Sequence, residues 1–285
     1  MLHVQESRPH PELRRFIRAY VQRQSNPSDP ALVEPVVARL GVILDFQFGD
    51  PYNVPFYGSD KANLSAPVAV IGPITARKAR IIIQGRVQTL AVLFQPLGFH
   101  ALFRIPNPEL ADIGTDAHAV IGPAASRLGQ ELGALSAFSE RTDILDHFFL
   151  RQLQKWRPDA VVEALRTMIE PQPMRVRDAA RLATLSTRQF ERRSLEYAGV
   201  TPKMLTRIAR FQRALQMKYE GSASWTEVAY EAQYHDQMHM IRDFRAFSSE
   251  SPAHALNRIA QFHLVTVNPP SVRIATLRSV SSGTD

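Results

Sequence analysis

Residues 174–199, MRVRDAARLATLSTRQFERRSLEYAG, decide the architecture of this 285-residue chain. Val176, Ala179, Ala180 and Ala183 recur at helical spacing, the run stops near Thr184 and Leu185, and a new helix is signalled at Ser186. Ser186 with Gln189 three residues on has the form of a capping box, in which two otherwise unpaired amides are satisfied reciprocally. Gly199 can take the left-handed conformation that ends such a helix. The spacing turns Phe190 inward and leaves Arg188, Glu191 and Arg192 outward. A short helix, a tight turn and a second helix with an exposed basic edge have the form of a major-groove reader.

A long helix follows. Thr201 suits an N-cap, Pro202 suits the first helical position, and Met204, Ile208, Phe211 and Leu215 make an apolar stripe. Lys203, Arg207 and Arg210 line another edge. From Pro202 to Tyr219 this helix spans roughly 27 Å at about 1.5 Å per residue. A strut of that size can hold two readers near the ~34 Å that separates successive major-groove segments. The second reader is SWTEVAYEAQYHDQMHMIRDFRAFSSESPAHAL, residues 224–256. Ser224 and Glu227 repeat the capping box, and Val228, Ala229 and Ala232 supply an inner face. Asp236 can cap a second helix that buries Met240, Phe244 and Phe247 and leaves Gln237, Met238, Ile241 and Arg242 outward. Ser251 and Pro252 then start a closing helix.

The ordered set LSTRQFERR, RIARFQRALQM, EVAYEAQYHDQMHMIRDFRAF and Ser251-Pro252 resembles the DNA-binding domain of the AraC/XylS family of bacterial transcription regulators, from Asp159 to Phe262. The resemblance implies a seven-helix domain that presents two recognition helices to consecutive major-groove segments. It also implies a preceding effector-binding or dimerising domain, often a small β-barrel. Ser194 stands where the family usually has an aromatic residue, and Gln233 and Ser249 stand where it usually has glycine. Truncating a core aromatic costs about 2–4 kcal/mol unless a neighbour such as Leu195 or Tyr197 fills the space. Gln233 and Ser249 would be strained wherever the turn needs a positive φ.

Charge supports the same division. Residues 1–150 carry 14 Lys and Arg against 14 Asp and Glu, and residues 151–285 carry 20 against 13, so the net charge of +7 lies in the second part. A basic region beside a neutral one points to a polyanion for the former alone. The chain has no cysteine, which excludes disulfides, thiolate nucleophiles and thiolate zinc sites. No apolar run approaches the ~20 residues that span a bilayer, and MLHVQESRPH lacks a signal-peptide pattern, so a cytoplasmic location without membrane contact is expected.

The first 115 residues read as strands and turns. A short helix is expected over Pro11–Tyr20, where Leu13, Phe16, Ile17 and Tyr20 have helical spacing, and Gln24–Pro30 is a loop. Strands are expected at Val33–Leu40, Val42–Phe48, Val68–Ile71, Ala79–Ile83 and Thr89–Phe94, then helices at PLGFHALF, Gly122–Leu132 and Glu140–Leu153, with a loop between Arg104 and Thr115. Ile144, Leu145, Phe148, Phe149 and Leu153 give the last helix a broad apolar face, which either packs on its own domain or pairs with a second subunit. Phe46, Phe48, Tyr52, Phe56, Tyr57 and Phe94 are core residues or the lining of an effector pocket. The fold class is therefore α+β: residues 1–154 a mostly β domain with flanking helices, residues 155–263 an all-α double helix-turn-helix domain, and residues 264–285 a flexible tail.

His3, His10, His100, His118 and His147 are scattered singly, and HDQMH, with His235 and His239 four apart, is not the zinc-hydrolase arrangement. No metal, cofactor or catalytic residue is expected. The expected function is a sequence-specific transcription regulator, not an enzyme, that binds double-stranded DNA as a homodimer, responds to a small-molecule effector and contacts RNA polymerase. Base contacts are assigned to Arg188, Glu191, Arg192, Gln237, Met238, Ile241 and Arg242, with Arg192 and Arg242 the guanine readers, and phosphate contacts to Ser186, Lys203 and Arg207. Two alternatives stay open here: an architectural DNA binder without effector, and an enzyme domain fused to a DNA reader.

Overall fold

A computed structural model describes residues 2–51, 53–55, 63–76, 79–221, 224–260 and 275–276. The N-terminal region is built on strands β1 (His3–Ser7), β2 (Ile17–Gln24), β3 (Leu32–Pro35), β4 (Ile43–Gln47), β5 (Val68–Ile71), β6 (Arg80–Ile83), β7 (Gln88–Phe94) and β8 (Gly114–Asp116). They form an antiparallel sheet in the order β8-β5-β4-β7-β2-β1, with Ala275–Thr276 (β9) beside β1, and a separate β3-β6 ribbon. Among the described residues no ladder joins the two edges, so the sheet is open.

Strand alternation gives this sheet two different faces. On one, Tyr20, Leu44, Phe46, Val70, Leu90, Val92 and Phe94 are buried against four helices: α1 (Gly98–Phe103), α2 (Ala117–Ile121), α3 (Pro123–Gly133) and α4 (Phe138–Leu153). On the other, Ala19, Val21, Ala91 and Leu93 lie with Ile83 of the ribbon, and Ile43 and Ile81 pack against them. The apolar face of α4 is covered by its own domain: Leu145 and Phe149 are fully buried, and Phe149 meets Phe94 edge-on at 5.6 Å.

Several expectations are corrected. Only Pro11–Leu13 is helical, as a 3-10 turn, and Ile17–Gln24 is the strand β2. Because β2 lies between β1 and β7 and is buried on both faces, its sequence has no polar alternation to betray it. Of the run Val33–Leu40 only the part up to Pro35 is strand; beyond it the Val36 amide still donates to the Ala79 carbonyl at 3.2 Å and Arg39 forms an isolated bridge with Ile74. The Arg104–Thr115 loop contains a 3-10 turn at Pro108–Leu110 and the start of β8. Phe46 and Phe94 belong to the helix-side core, and Phe48 packs against that core beneath the Arg141 guanidinium. Tyr52, Phe56, Tyr57 and most of 264–285 lie outside the described residues.

The C-terminal region consists of α5 (Ala160–Thr167), α6 (Val176–Leu182), α7 (Thr187–Ala198), α8 (Pro202–Glu220), α9 (Trp225–Glu231), α10 (Gln237–Ser248) and α11 (Pro252–Ala260). Asp159 caps α5, accepting from the amides of Val161 and Val162. Leu205, Ile208, Phe211, Ala214 and Leu215 bury the stripe of α8. Phe211 is the hub, with ring centroids 4.9 Å from Phe244 and 5.4 Å from Phe247. Val37, Ala38 and Leu40 of the N-terminal region complete this core, and the Ala38 amide donates to the Phe247 carbonyl at 3.0 Å.

Candidate nucleic-acid interface

In the first module α6 and α7 meet at a tight turn. The Leu185 amide reaches back to the Ala180 carbonyl at 2.9 Å, which requires the residue between the helices, Thr184, to adopt φ 57°. The second module repeats this: Tyr234 donates to Ala229 at 2.8 Å across Gln233, at φ 65°, and Ser249 ends α10 at φ 60°. Left-handed backbone costs non-glycine residues about 1–3 kcal/mol, most for β-branched ones. Thr184→Gly should therefore stabilise the chain by about 1 kcal/mol after the entropy cost of glycine. Urea melts would show this, and a loss of stability would refute the strain.

Helices α7, α9 and α10 start from completed capping boxes or caps. Ser186 accepts from the Gln189 amide while its own amide donates to the Gln189 side chain at 3.0 Å. Ser224 and Glu227 do the same at α9, and Asp236 caps α10 by accepting from the His239 amide at 2.6 Å. On α7, Arg188, Glu191 and Arg192 are exposed. No ion pair within the described residues engages them, whereas the neighbouring Arg193 is paired with Glu196 at 2.7 Å. On α10, Gln237 and Arg242 are exposed, Met238 is 56% exposed and Ile241 is half-buried. A thioether left in water at the head of a capped helix is unexplained by folding and suits contact with an apolar base edge.

The linker helix holds the second reader through charge. Asp243 of α10, 1% exposed, accepts from Arg207 Nε at 3.0 Å and from a terminal nitrogen of the same guanidinium at 2.7 Å, with Arg210 at 3.7 Å. Arg207 also lies over the Phe247 ring at 5.0 Å. The guanidinium expected on a phosphate thus has an internal partner, which ties α8 to α10. Sequence spacing could not reveal this, because Asp243 falls on the inner face of α10 where an acid is unusual. Lys203 and Ser186 are exposed.

Ser194 is fully buried and its hydroxyl donates to the Val200 carbonyl at 2.8 Å, so a satisfied polar group occupies the expected aromatic position. Leu195, 42% exposed, does not turn into that space. Tyr197 instead stacks on His100 of the N-terminal region at 4.0 Å. Asn107 binds the carbonyls of Glu196 and Tyr197 at 2.9 and 2.7 Å. Gly199 has φ 72°, and a Cβ there would stand 3.1 Å from the Asn107 carbonyl oxygen, so both conformation and close approach demand glycine. His235 faces Asp236, and His239 meets Tyr234 edge-on.

A family model described as a helix-turn-helix domain matches residues 179–258, and one described as a domain of unknown function (DUF6597) matches residues 5–116. No curated protein is significantly similar. Among solved structures, an AraC-type transcriptional regulator from Chromobacterium violaceum is similar at 24% identity over 36% of this chain and 94% of its own, with a TM-score of 0.34. An apo lysine-to-alanine variant of ToxT from Vibrio cholerae is similar at 12% identity over 90% and 97%, with a TM-score of 0.46. Wild-type ToxT bound to an unsaturated fatty acid is similar at 10% identity over 90% and 94%, with a TM-score of 0.44. With two capped helix-turn-helix modules on one linker helix and the matching family model across them, residues 179–258 belong to the helix-turn-helix family of DNA-binding domains.

Proposed function

We propose that α7 and α10 read consecutive major-groove segments, with Arg188, Glu191 and Arg192 on one and Gln237, Met238, Ile241 and Arg242 on the other. Exposed side chains of base-reading type on both helices carry this reading. Ser186 and Lys203 contact phosphates; Arg207 acts through Asp243 instead. Residues 1–154 form the effector-binding and dimerising part and residues 155–263 the reader, in a cytoplasmic homodimer whose DNA-bound form contacts RNA polymerase. A cavity of about 400 Å³ between the sheet and the β3-β6 ribbon supports the effector role.

Selection of sites from a random duplex library tests this. Two informative blocks about one helical turn apart are expected, doubled for the full chain if it dimerises. Arg192→Ala and Arg242→Ala should each weaken binding by about 1–3 kcal/mol and relax one position of the site. Equal weakening on all sequences would make them phosphate contacts. Binding that depends on salt and not on sequence would replace this reading with an architectural one.

A further inference from the structure

The cavity beneath the β3-β6 ribbon has a composition that names a ligand class. Its walls are mainly apolar, with Val36, Ile43, Ile71, Ile74, Ile81 and Ile113 among them. In their midst, Asp45 of β4 is 5% exposed. Its partners in register on the two adjacent strands are Ala69 and Ala91, so only methyl groups stand directly opposite the carboxylate on β5 and β7. The Gln47 amide reaches it only at 3.3 Å.

The other charges around the cavity have partners. Glu34 takes the Arg23 guanidinium at 2.9 and 3.2 Å. Asp112 accepts from the amide and hydroxyl of Thr75 at 2.7 and 2.6 Å, and Asp116 caps α2 through the His118 amide at 2.8 Å. Arg39 bonds the Gly41 carbonyl. Four carboxylates and one guanidinium line the space, and no ion pair within the described residues engages Asp45. A buried carboxylate beside open apolar volume attracts a cation that brings its own apolar surface.

We propose that this cavity binds a small organic cation, an apolar body with an ammonium or amidinium head, with Asp45 as its counter-ion. The proposal rests on the effector role given to the N-terminal region. A route to DNA exists in the cavity wall itself: Val36, Val37 and Arg39 line it, while Val37, Ala38 and Leu40 pack in the reader's core and Ala38 bonds Phe247 of α10. Occupancy therefore acts on the segment that holds the second recognition helix.

The test is calorimetric titration of the full chain at pH 8 with 4-phenylbutylamine, 4-phenylbutanol and 4-phenylbutyrate, three probes of one shape and different charge. The amine should bind about tenfold or more tighter than the alcohol, and Asp45→Asn should erase that preference. Ala91→Leu, which fills the space beside the carboxylate, should weaken amine and alcohol together. Equal affinity for amine and alcohol, tightest binding of the butyrate through Arg39, or binding of none of the three would overturn the proposal. The amine should also change affinity for the selected duplex. A bound amine that leaves that affinity unchanged keeps the cation site and removes the effector role, whereas a duplex-binding chain that ignores the amine removes the cation site alone.

Discussion

Replacing Asp243 by alanine should destabilise the C-terminal region by about 3–5 kcal/mol, the usual consequence of removing one partner from a buried charge pair. Asp243 is 1% exposed, and Arg207 reaches it with two nitrogens. Without the carboxylate, the Arg207 and Arg210 guanidiniums, which lie over Phe247 and Tyr234, lose the anion they share. The loss should exceed the cost of converting the whole group to apolar residues, so Asp243→Leu combined with Arg207→Met should recover much of it. Urea unfolding of the full chain measures both variants. A loss below about 1 kcal/mol for Asp243→Ala would mean that the pair behaves as an exposed one.

The functional readout is separate. Because Asp243 joins the linker to α10, its loss should reduce the information content of the second block of the selected site while the first block persists. Had Arg207 served mainly as a phosphate contact, Arg207→Ala would weaken binding to every sequence alike and would leave stability nearly unchanged. The internal pairing predicts the reverse pattern.

The C-terminal half was legible in the sequence for physical reasons. Its helices announce their starts with local side-chain chemistry, as at Ser186, Ser224 and Asp236, and their inner faces with small or aromatic residues at period 3.6. The exposure of Arg188, Arg192, Gln237 and Arg242 follows from the same periodicity. The N-terminal half was less legible because β2 is buried on both faces and β1 is polar enough to pass for a loop, so neither shows clean alternation. The aromatic residues Phe46 and Phe94 face the helices. The cavity belongs to the opposite face, where Asp45 sits between Leu44 and Phe46; an acid in the middle of an apolar strand was the available signal. Arg207 could not be placed by pattern, since its partner lies 36 residues away.

Asp45 should also make the stability of the N-terminal region fall with rising pH. Burial pushes its carboxyl up to about 7; Arg23 of β2 and the Gln47 side chain of β4 oppose this, and Glu34 of β3 adds to it. Arg39, Asp112 and Asp116 also face the cavity. In the unfolded chain the group titrates near 3.9. Between these values the folded state holds a proton that the unfolded state has released, so stability is fully present below about pH 4 and is lost as pH rises through about 7. The gap between the folded and unfolded values corresponds to at most about 4 kcal/mol. Asp45→Asn, neutral at every pH, should match the wild type near pH 4.5 and exceed it by on the order of 2–4 kcal/mol at pH 8.5. Burial raises Glu6 in both proteins, so the difference between their urea-unfolding profiles isolates Asp45. The amine probe, by adding a cation beside Asp45, should flatten the wild-type profile and leave that of Asp45→Asn unaltered. Parallel profiles for the two proteins without ligand would show that Asp45 is already ionised and compensated in the folded chain, and would remove the electrostatic basis for a cation in the cavity.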